Sequence, residues 1–189
     1  MSIKYNAPAT LSFSLAAGVV LILDAILPGL AENWFLVPGR GGFDPANLRD
    51  YVLLLSHVLG HAGLDHYLAN FFFILLLGPV LEERYGSGVL AAMTLVTALA
   101  TGLLNVLLFP TALMGASGIV FMMILLSSFT NFGKGEIPLT FILILVLYLG
   151  KEVINAFTNN DISEFSHIIG GLCGSLFGFL KGTTRPAVR

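Results

Sequence analysis

Six apolar segments follow one another along the chain, and they restrict it to folds that are stable in lipid. They span residues 11–27, 67–81, 89–109, 117–129, 137–156 and 165–180. A run of about 20 apolar residues is long enough to cross the hydrocarbon core of a bilayer as a helix. Charged residues make up only 11% of the chain, against roughly 25% in an average soluble domain. The sequence therefore predicts an all-α membrane protein, with residues 1–189 forming one transmembrane domain.

The charge and the polar motifs argue against nucleic-acid binding and metal binding. The formal net charge is -2, and no cluster of Lys and Arg provides a positive field for nucleic acid. His57 and His61 have an i,i+4 spacing that suits zinc, but no third ligand accompanies them, so hydrogen bonding within a loop is their predicted role. Cys173 is the only cysteine, which excludes an internal disulfide. We expect no metal, no other cofactor and no nucleic-acid partner.

The distribution of Lys and Arg predicts that both termini are cytoplasmic, because cytoplasmic loops carry the excess of positive charge. This orientation places six basic residues inside and three outside; the six are Lys4, Arg84, Lys134, Lys181, Arg185 and Arg189, and the three are Arg40, Arg49 and Lys151. The first apolar segment resembles a signal peptide, but five more segments follow it, so an uncleaved anchor in the cell (inner) membrane is predicted. The aromatic-rich connection 28–65 is predicted to lie partly in the membrane interface.

The fourth apolar segment is too short to cross a bilayer. Residues 117–129 form about 20 Å of helix at 1.5 Å per residue, against a hydrocarbon core of about 30 Å. Residues 110–115 then have to descend into the membrane as non-helical backbone, which is tolerated where it is buried in protein or lines a water-filled cavity. The sequence therefore predicts a wet pocket within the bilayer, with Ser117 at its floor.

Ser117 lies in the tetrapeptide Gly115-Ala116-Ser117-Gly118 at the start of this short segment. Glycines allow an unusual turn and a close approach of substrate to the backbone. Free N–H groups at a helix N-terminus would stabilise an oxyanion formed at this serine. The alternative is that Ser117 is only an N-cap residue at a helix start that is rich in small side chains.

His167 in the last apolar segment is the second candidate, since an ionisable residue inside a membrane helix suggests a function. Gly170, Gly174 and Gly178 follow at intervals that place them within about 60° of His167 on the helix surface. Such a stripe lets two helices pack backbone against backbone. If the neighbour is the Ser117 helix, a Ser–His hydrogen bond becomes possible. The alternative is that His167 caps its helix and the glycines only pack.

The second apolar segment opens with His66 and Asn70, one turn apart on the same helix face. An amide N–H₂ aimed at the Ser117 pocket would supply an oxyanion donor, with the His66 ring beside it. The alternative for Asn70 is a buried structural amide.

Taken together, these motifs resemble those of the rhomboid proteases. The resemblance runs in order from about residue 56 to residue 178 and is carried by Ser56-His57, His61, His66-Tyr67-Leu68-Ala69-Asn70, Glu82-Glu83-Arg84-Tyr85-Gly86-Ser87-Gly88, Gly115-Ala116-Ser117-Gly118 and Ser166-His167-Ile168-Ile169-Gly170. It implies a six-transmembrane-helix rhomboid-like bundle with a short, partly submerged fourth helix. It also implies a Ser–His dyad in a water-filled cavity that opens to the outer side, and substrates that are transmembrane segments with unstable helices. The expected partners are therefore transmembrane proteins and membrane lipid.

The resemblance also implies a role for each site residue. Ser117 is the expected nucleophile and His167 the general base, while His66, Asn70 and the Ser117 N–H form the oxyanion hole. The supporting residues are Gly115, Gly118, Phe121, Gly170 and Gly174, and Glu82 with Arg84 matches a structural loop pair.

The sequence departs from the family pattern at two places. Phe121 stands where a tyrosine is common, so it can stack on His167 but offers no hydroxyl. Val52-Leu53 replaces a Trp-Arg pair, which puts the anchoring of the first outer loop in question.

Two other functions are weighed against proteolysis. A catalytically inert rhomboid-like protein that binds membrane helices would share the fold. Such relatives typically lack the serine or the histidine, whereas this chain has both. A transporter would use intramembrane charges such as Asp24 and Lys151-Glu152, but no two-fold repeat is recognisable.

Overall fold

The computed structural model describes residues 3–129, 139–144, 146–147 and 163–181, and in these ranges the secondary structure is helical apart from one isolated bridge. The helices are α1 (Pro8–Ile26), α2 (Leu30–Phe35), α3 (Leu48–Ser56), α4 (Leu64–Tyr85), α5 (Ser87–Leu108), α6 (Ser117–Ser128), α7 (Leu139–Ile144) and α8 (Ser163–Lys181). The prediction of an all-α membrane fold is confirmed. Most of the predicted fifth span, 137–156, lies outside the described residues.

Helices α1, α4 and α5 are long and apolar enough to cross a membrane. They present many exposed apolar side chains, among them Ile22, Phe72 and Leu95, as expected of surfaces that face lipid. α6 is different, because ten of its 12 residues are buried and it is apolar on all sides. A helix that is hydrophobic all round belongs inside a bundle. α6 accordingly lies at the centre, in contact with α4, α5 and α8.

The N-terminus of α1 is fixed by a carboxylate from α4. The buried Glu82 accepts hydrogen bonds from the backbone N–H groups of Ala9 and Thr10, at 2.8 and 2.9 Å, and from the Thr10 hydroxyl at 2.8 Å. These N–H groups have no partner within their own helix. Glu82 itself is helical, because α4 extends past the apolar run, which ends at residue 81, to Tyr85.

Glu82 and Arg84 are thus part of a helix and act on two different neighbours. While Glu82 caps α1, the Arg84 guanidinium donates to the carbonyl oxygen of Phe129, 3.4 Å away, just after the end of α6. Together the two side chains attach the end of α4 to the ends of α1 and α6.

The segment between α1 and α4 contains α2 and α3. Because the Trp-Arg pair of the family pattern is absent, other groups anchor this segment. The guanidinium of Arg49 donates to the carbonyl oxygen of Asn33 and lies over the Trp34 ring, 5.6 Å from its centroid. Val37 pairs with Leu113 through two backbone hydrogen bonds of 3.0 and 2.9 Å. A Trp and an Arg from α2 and α3 therefore hold this segment together, and the bridge ties it to the chain just before α6.

Candidate active site

Ser117 is brought to its position by a non-helical stretch between α5 and α6. α5 ends at Leu108 and α6 begins at Ser117, so residues 109–116 form a non-helical connection between the two helices. Gly115 has φ of +126°, a conformation that side-chain-bearing residues rarely adopt. Its N–H donates to the carbonyl oxygen of His57 at 2.9 Å. Ser117 is half-buried at the start of the short helix, as the length argument predicted.

The glycine stripe of α8 packs against α6, so the neighbour of the His167 helix is the Ser117 helix. A Cβ atom added to Gly170 would overlap the carbonyl oxygen of Gly118, and one added to Gly174 would overlap that of Met122. A Cβ atom on Gly178 would overlap the ring of Phe129. The two helices therefore touch backbone to backbone at Gly170 and Gly174, where only glycine permits this distance, while Gly178 leaves room for the Phe129 ring.

This contact places His167 beside the start of α6. The His167 ring stacks on Phe121 with a centroid distance of 4.2 Å and an interplanar angle of 8°, so the stacking expected at this position is present. The preceding residue, Ser166, has its Oγ 3.4 Å from the Oγ of Ser117. Ser117 thus lies next to the residue before His167, and His167 itself stacks on the same helix one turn further along.

His66 lies against the backbone just before Ser117. A Cβ atom on Gly115 would sit 2.7 Å from Cε1 and 2.9 Å from Nε2 of the His66 ring, so only glycine fits there. The N–H of Ala62 is 3.5 Å from His66 Nδ1 and donates to it. In a neutral ring this leaves the proton on Nε2, the nitrogen that faces the Gly115 backbone. His66 therefore lies beside Gly115, two residues before Ser117.

Asn70 is buried and its amide is partly engaged. The Nδ2 group donates to the carbonyl oxygen of His66, one turn earlier, at 3.0 Å. A side-chain amide has two N–H donors, so one remains for an oxyanion. Both interpretations of Asn70, the donor and the structural amide, are compatible with this geometry.

His57 and His61 form hydrogen bonds within the segment between α1 and α4, in keeping with their predicted hydrogen-bonding role, although His57 lies in a short 3-10 helix and not in a loop. The Nδ1 atoms of His57 and His61 lie 3.3 Å from the carbonyl oxygens of Leu53 and Leu59, respectively. Burial lowers the pKa of His57 to about 4, and burial together with the charge of His66 lowers the pKa of His61 to about 4. Both rings are therefore neutral near pH 7 and act through hydrogen bonds and packing.

For two residues of this region, the sequence analysis proposed no role. Thr101 on α5 has its hydroxyl 3.3 Å from Nε2 of His57, which connects the segment between α1 and α4 to α5. Ser166 lies next to the Ser117 hydroxyl. The only sign of this contact in the sequence was that Ser166 directly precedes His167. Consecutive residues of a helix face different directions, so this position did not predict the contact.

Comparison with known proteins agrees with the motifs and the geometry. A family model for the Rhomboid domain matches residues 49–184. Rhomboid-related protein 1 of Caenorhabditis elegans is 30% identical over 155 residues, which cover 76% of this chain and 43% of that protein. Rhomboid protease GlpG of Haemophilus influenzae is 24% identical over 134 residues, which cover 69% of this chain and 70% of that protein. This chain thus spans less than half of the first relative, but the domain match covers most of the chain, which therefore belongs to the rhomboid family.

Proposed function

We propose that this protein is an intramembrane serine endopeptidase that cleaves transmembrane segments of membrane proteins with a Ser117–His167 dyad. The observation that supports the proposal best is the backbone contact between α6 and α8, in which Ser117 follows a non-helical segment and lies next to Ser166, the residue before His167. Membership of a family that includes a protein named as a rhomboid protease supports the same reaction.

In the proposed reaction, His167 takes the proton of the Ser117 hydroxyl while the Ser117 Oγ attacks the scissile carbonyl carbon. The carbonyl oxygen becomes an oxyanion, for which the Ser117 N–H, His66 Nε2–H and the remaining Asn70 N–H are the proposed donors. His167 then protonates the leaving amine, and a water molecule, activated by the same histidine, hydrolyses the acyl-enzyme. The wet pocket that would supply this water stays a prediction.

The proposal extends to the cellular setting. We infer that residues 1–189 act as one transmembrane domain in the cell membrane with both termini cytoplasmic, which follows from the distribution of basic residues. The partners are then transmembrane protein substrates and the surrounding lipid.

Reaction with a fluorophosphonate tests the proposal directly. Such a probe reacts with a serine whose hydroxyl is activated by a base, so detergent-solubilised protein should be labelled, and mass spectrometry should locate the label on Ser117. Serines that lack a base, such as Ser175, provide an internal control in the same digest. Folded protein that is not labelled, yet binds transmembrane peptides, would instead indicate the inert helix-binding protein.

Asn70→Ala separates the two interpretations of this amide. A donor that acts on the developing negative charge should lower kcat by about 10²-fold, roughly 2.7 kcal/mol, and leave KM nearly unchanged. A structural amide should instead cost ~1–3 kcal/mol of stability and disturb kcat and KM together. We expect the first result. Kinetic constants and melting temperature, measured in one detergent beside the wild type, decide between them. A lower melting temperature with normal kcat at low temperature would contradict the donor role.

A further inference from the structure

Ser166 places a second hydroxyl next to the proposed nucleophile. Its side chain is 3% exposed, and its Oγ lies 3.4 Å from the Oγ of Ser117, within hydrogen-bonding distance. Nothing in the dyad chemistry requires this group, because His167 alone can accept the proton of Ser117. The contact therefore needs its own explanation.

The position of Ser166 is fixed by backbone packing. A Cβ atom added to Gly118 would lie 3.2 Å from the carbonyl oxygen of Ser166. One turn after Ser166, a Cβ atom added to Gly170 would overlap the carbonyl oxygen of Gly118. The stretch from Ser166 to Gly170 therefore lies directly on the first turn of α6. Because the backbone on both sides is held, the distance between the two hydroxyls follows from the packing of the helices.

We propose that Ser166 is a positioning residue for Ser117. A serine hydroxyl has one donor and two acceptor sites. For the reaction, Ser117 has to direct its single proton to His167. If Ser166 donates to the Ser117 Oγ, it occupies one acceptor site and restricts rotation about the Cβ–Oγ bond, which keeps the Ser117 proton available to His167. This inference rests on the proposed function and names a further group that supports the same nucleophile.

The bond that Ser166 donates should matter most during attack. When the Ser117 proton passes to His167 and the new O–C bond forms, the Ser117 Oγ transiently carries more negative charge, and hydrogen bonds to charged acceptors are stronger. In the acyl-enzyme the same atom is an ester oxygen, which is a poorer acceptor. Ser166 keeps its own proton throughout. Its loss should therefore reduce kcat and leave KM unchanged.

The test compares Ser166→Ala with wild type and with Ser175→Ala. Ser175 is a matched control on the same helix, since its hydroxyl donates at 2.9 Å to the carbonyl oxygen of Gly171. We expect Ser166→Ala to lower kcat about tenfold with KM unchanged, in keeping with the loss of one hydrogen bond. The rate of fluorophosphonate labelling at Ser117 should fall by a similar factor. Ser175→Ala should match the wild type in both measurements.

Three results would overturn the inference: unchanged kcat and labelling in Ser166→Ala, faster turnover in that variant, or a fall in melting temperature with kcat and KM disturbed together. Faster turnover would show that Ser166 competes with His167 for the Ser117 proton. The failure of the proposed function looks different, because the wild-type protein itself would then remain unlabelled at Ser117.

Discussion

Ser117→Ala and His167→Ala are each expected to abolish cleavage of a model transmembrane substrate while the protein stays folded. Without the hydroxyl there is no nucleophile, and without the imidazole the hydroxyl is a poor one. Each variant should lower kcat by about 10⁴-fold or more, and the double variant should be little worse than either single one, because the two groups act as a unit. The measurement is the initial rate of product formation in detergent or in liposomes.

Ser128→Ala is the matched control for the serine substitution. Ser128 lies on the same helix, and its hydroxyl donates only to the carbonyl oxygen of Ile124 at 3.4 Å, so this variant should keep wild-type turnover. Turnover near the wild-type value in Ser117→Ala or His167→Ala, with contaminating protease excluded, would contradict the assignment of the dyad.

Gly170→Ala is expected to have the largest effect on stability and to inactivate the protein. The added methyl group would overlap the carbonyl oxygen of Gly118, and a backbone atom in a packed helix cannot move aside as a flexible side chain can. Overpacking typically costs about 1–3 kcal/mol and occasionally more, and the upper end is expected here. Separation of α6 from α8 would also move His167 away from Ser117.

Gly171→Ala provides the comparison at the next position. There the added Cβ would lie 3.6 Å from the Leu125 side chain, an ordinary van der Waals contact, so the melting temperature and the labelling rate should stay close to the wild type. Equal melting temperatures for the two alanine variants in the same detergent would show that the α6–α8 contact is looser than described.

Much of this fold follows from the spacing of apolar residues and glycines. The glycines after His167 predicted a close helix contact, and α8 does lie on α6 through Gly170, Gly174 and Gly178. The short fourth segment predicted a non-helical approach to Ser117, which residues 109–116 provide. Both predictions succeeded because they rest on length and periodicity, which a sequence displays directly.

Other features depend on contacts between distant residues and could not be read in this way. The apolar run of α4 stops before Glu82, yet the helix continues and Glu82 is buried, because its carboxylate has partners 72 and 73 residues earlier. Likewise, the proximity of Ser166 to Ser117 depends on the register between α6 and α8. A glycine stripe does not determine this register, because a shift of one helix by one turn would still bring glycines into the contact. The catalytic roles are inferred from the family resemblance together with this register.

The capping of α1 by Glu82 has a consequence for the biogenesis of the protein. α1 is synthesised before α4, so the two amide groups and the hydroxyl that donate to the Glu82 carboxylate, at Ala9 and Thr10, exist before Glu82 does. Loss of α1 after cleavage would remove these three donors from the buried Glu82 carboxylate, and a buried charge that loses partners is strongly destabilising. α1 lies before the matched domain, which starts at residue 49. We nevertheless predict that α1 is not removed by processing, because it supplies these partners of Glu82.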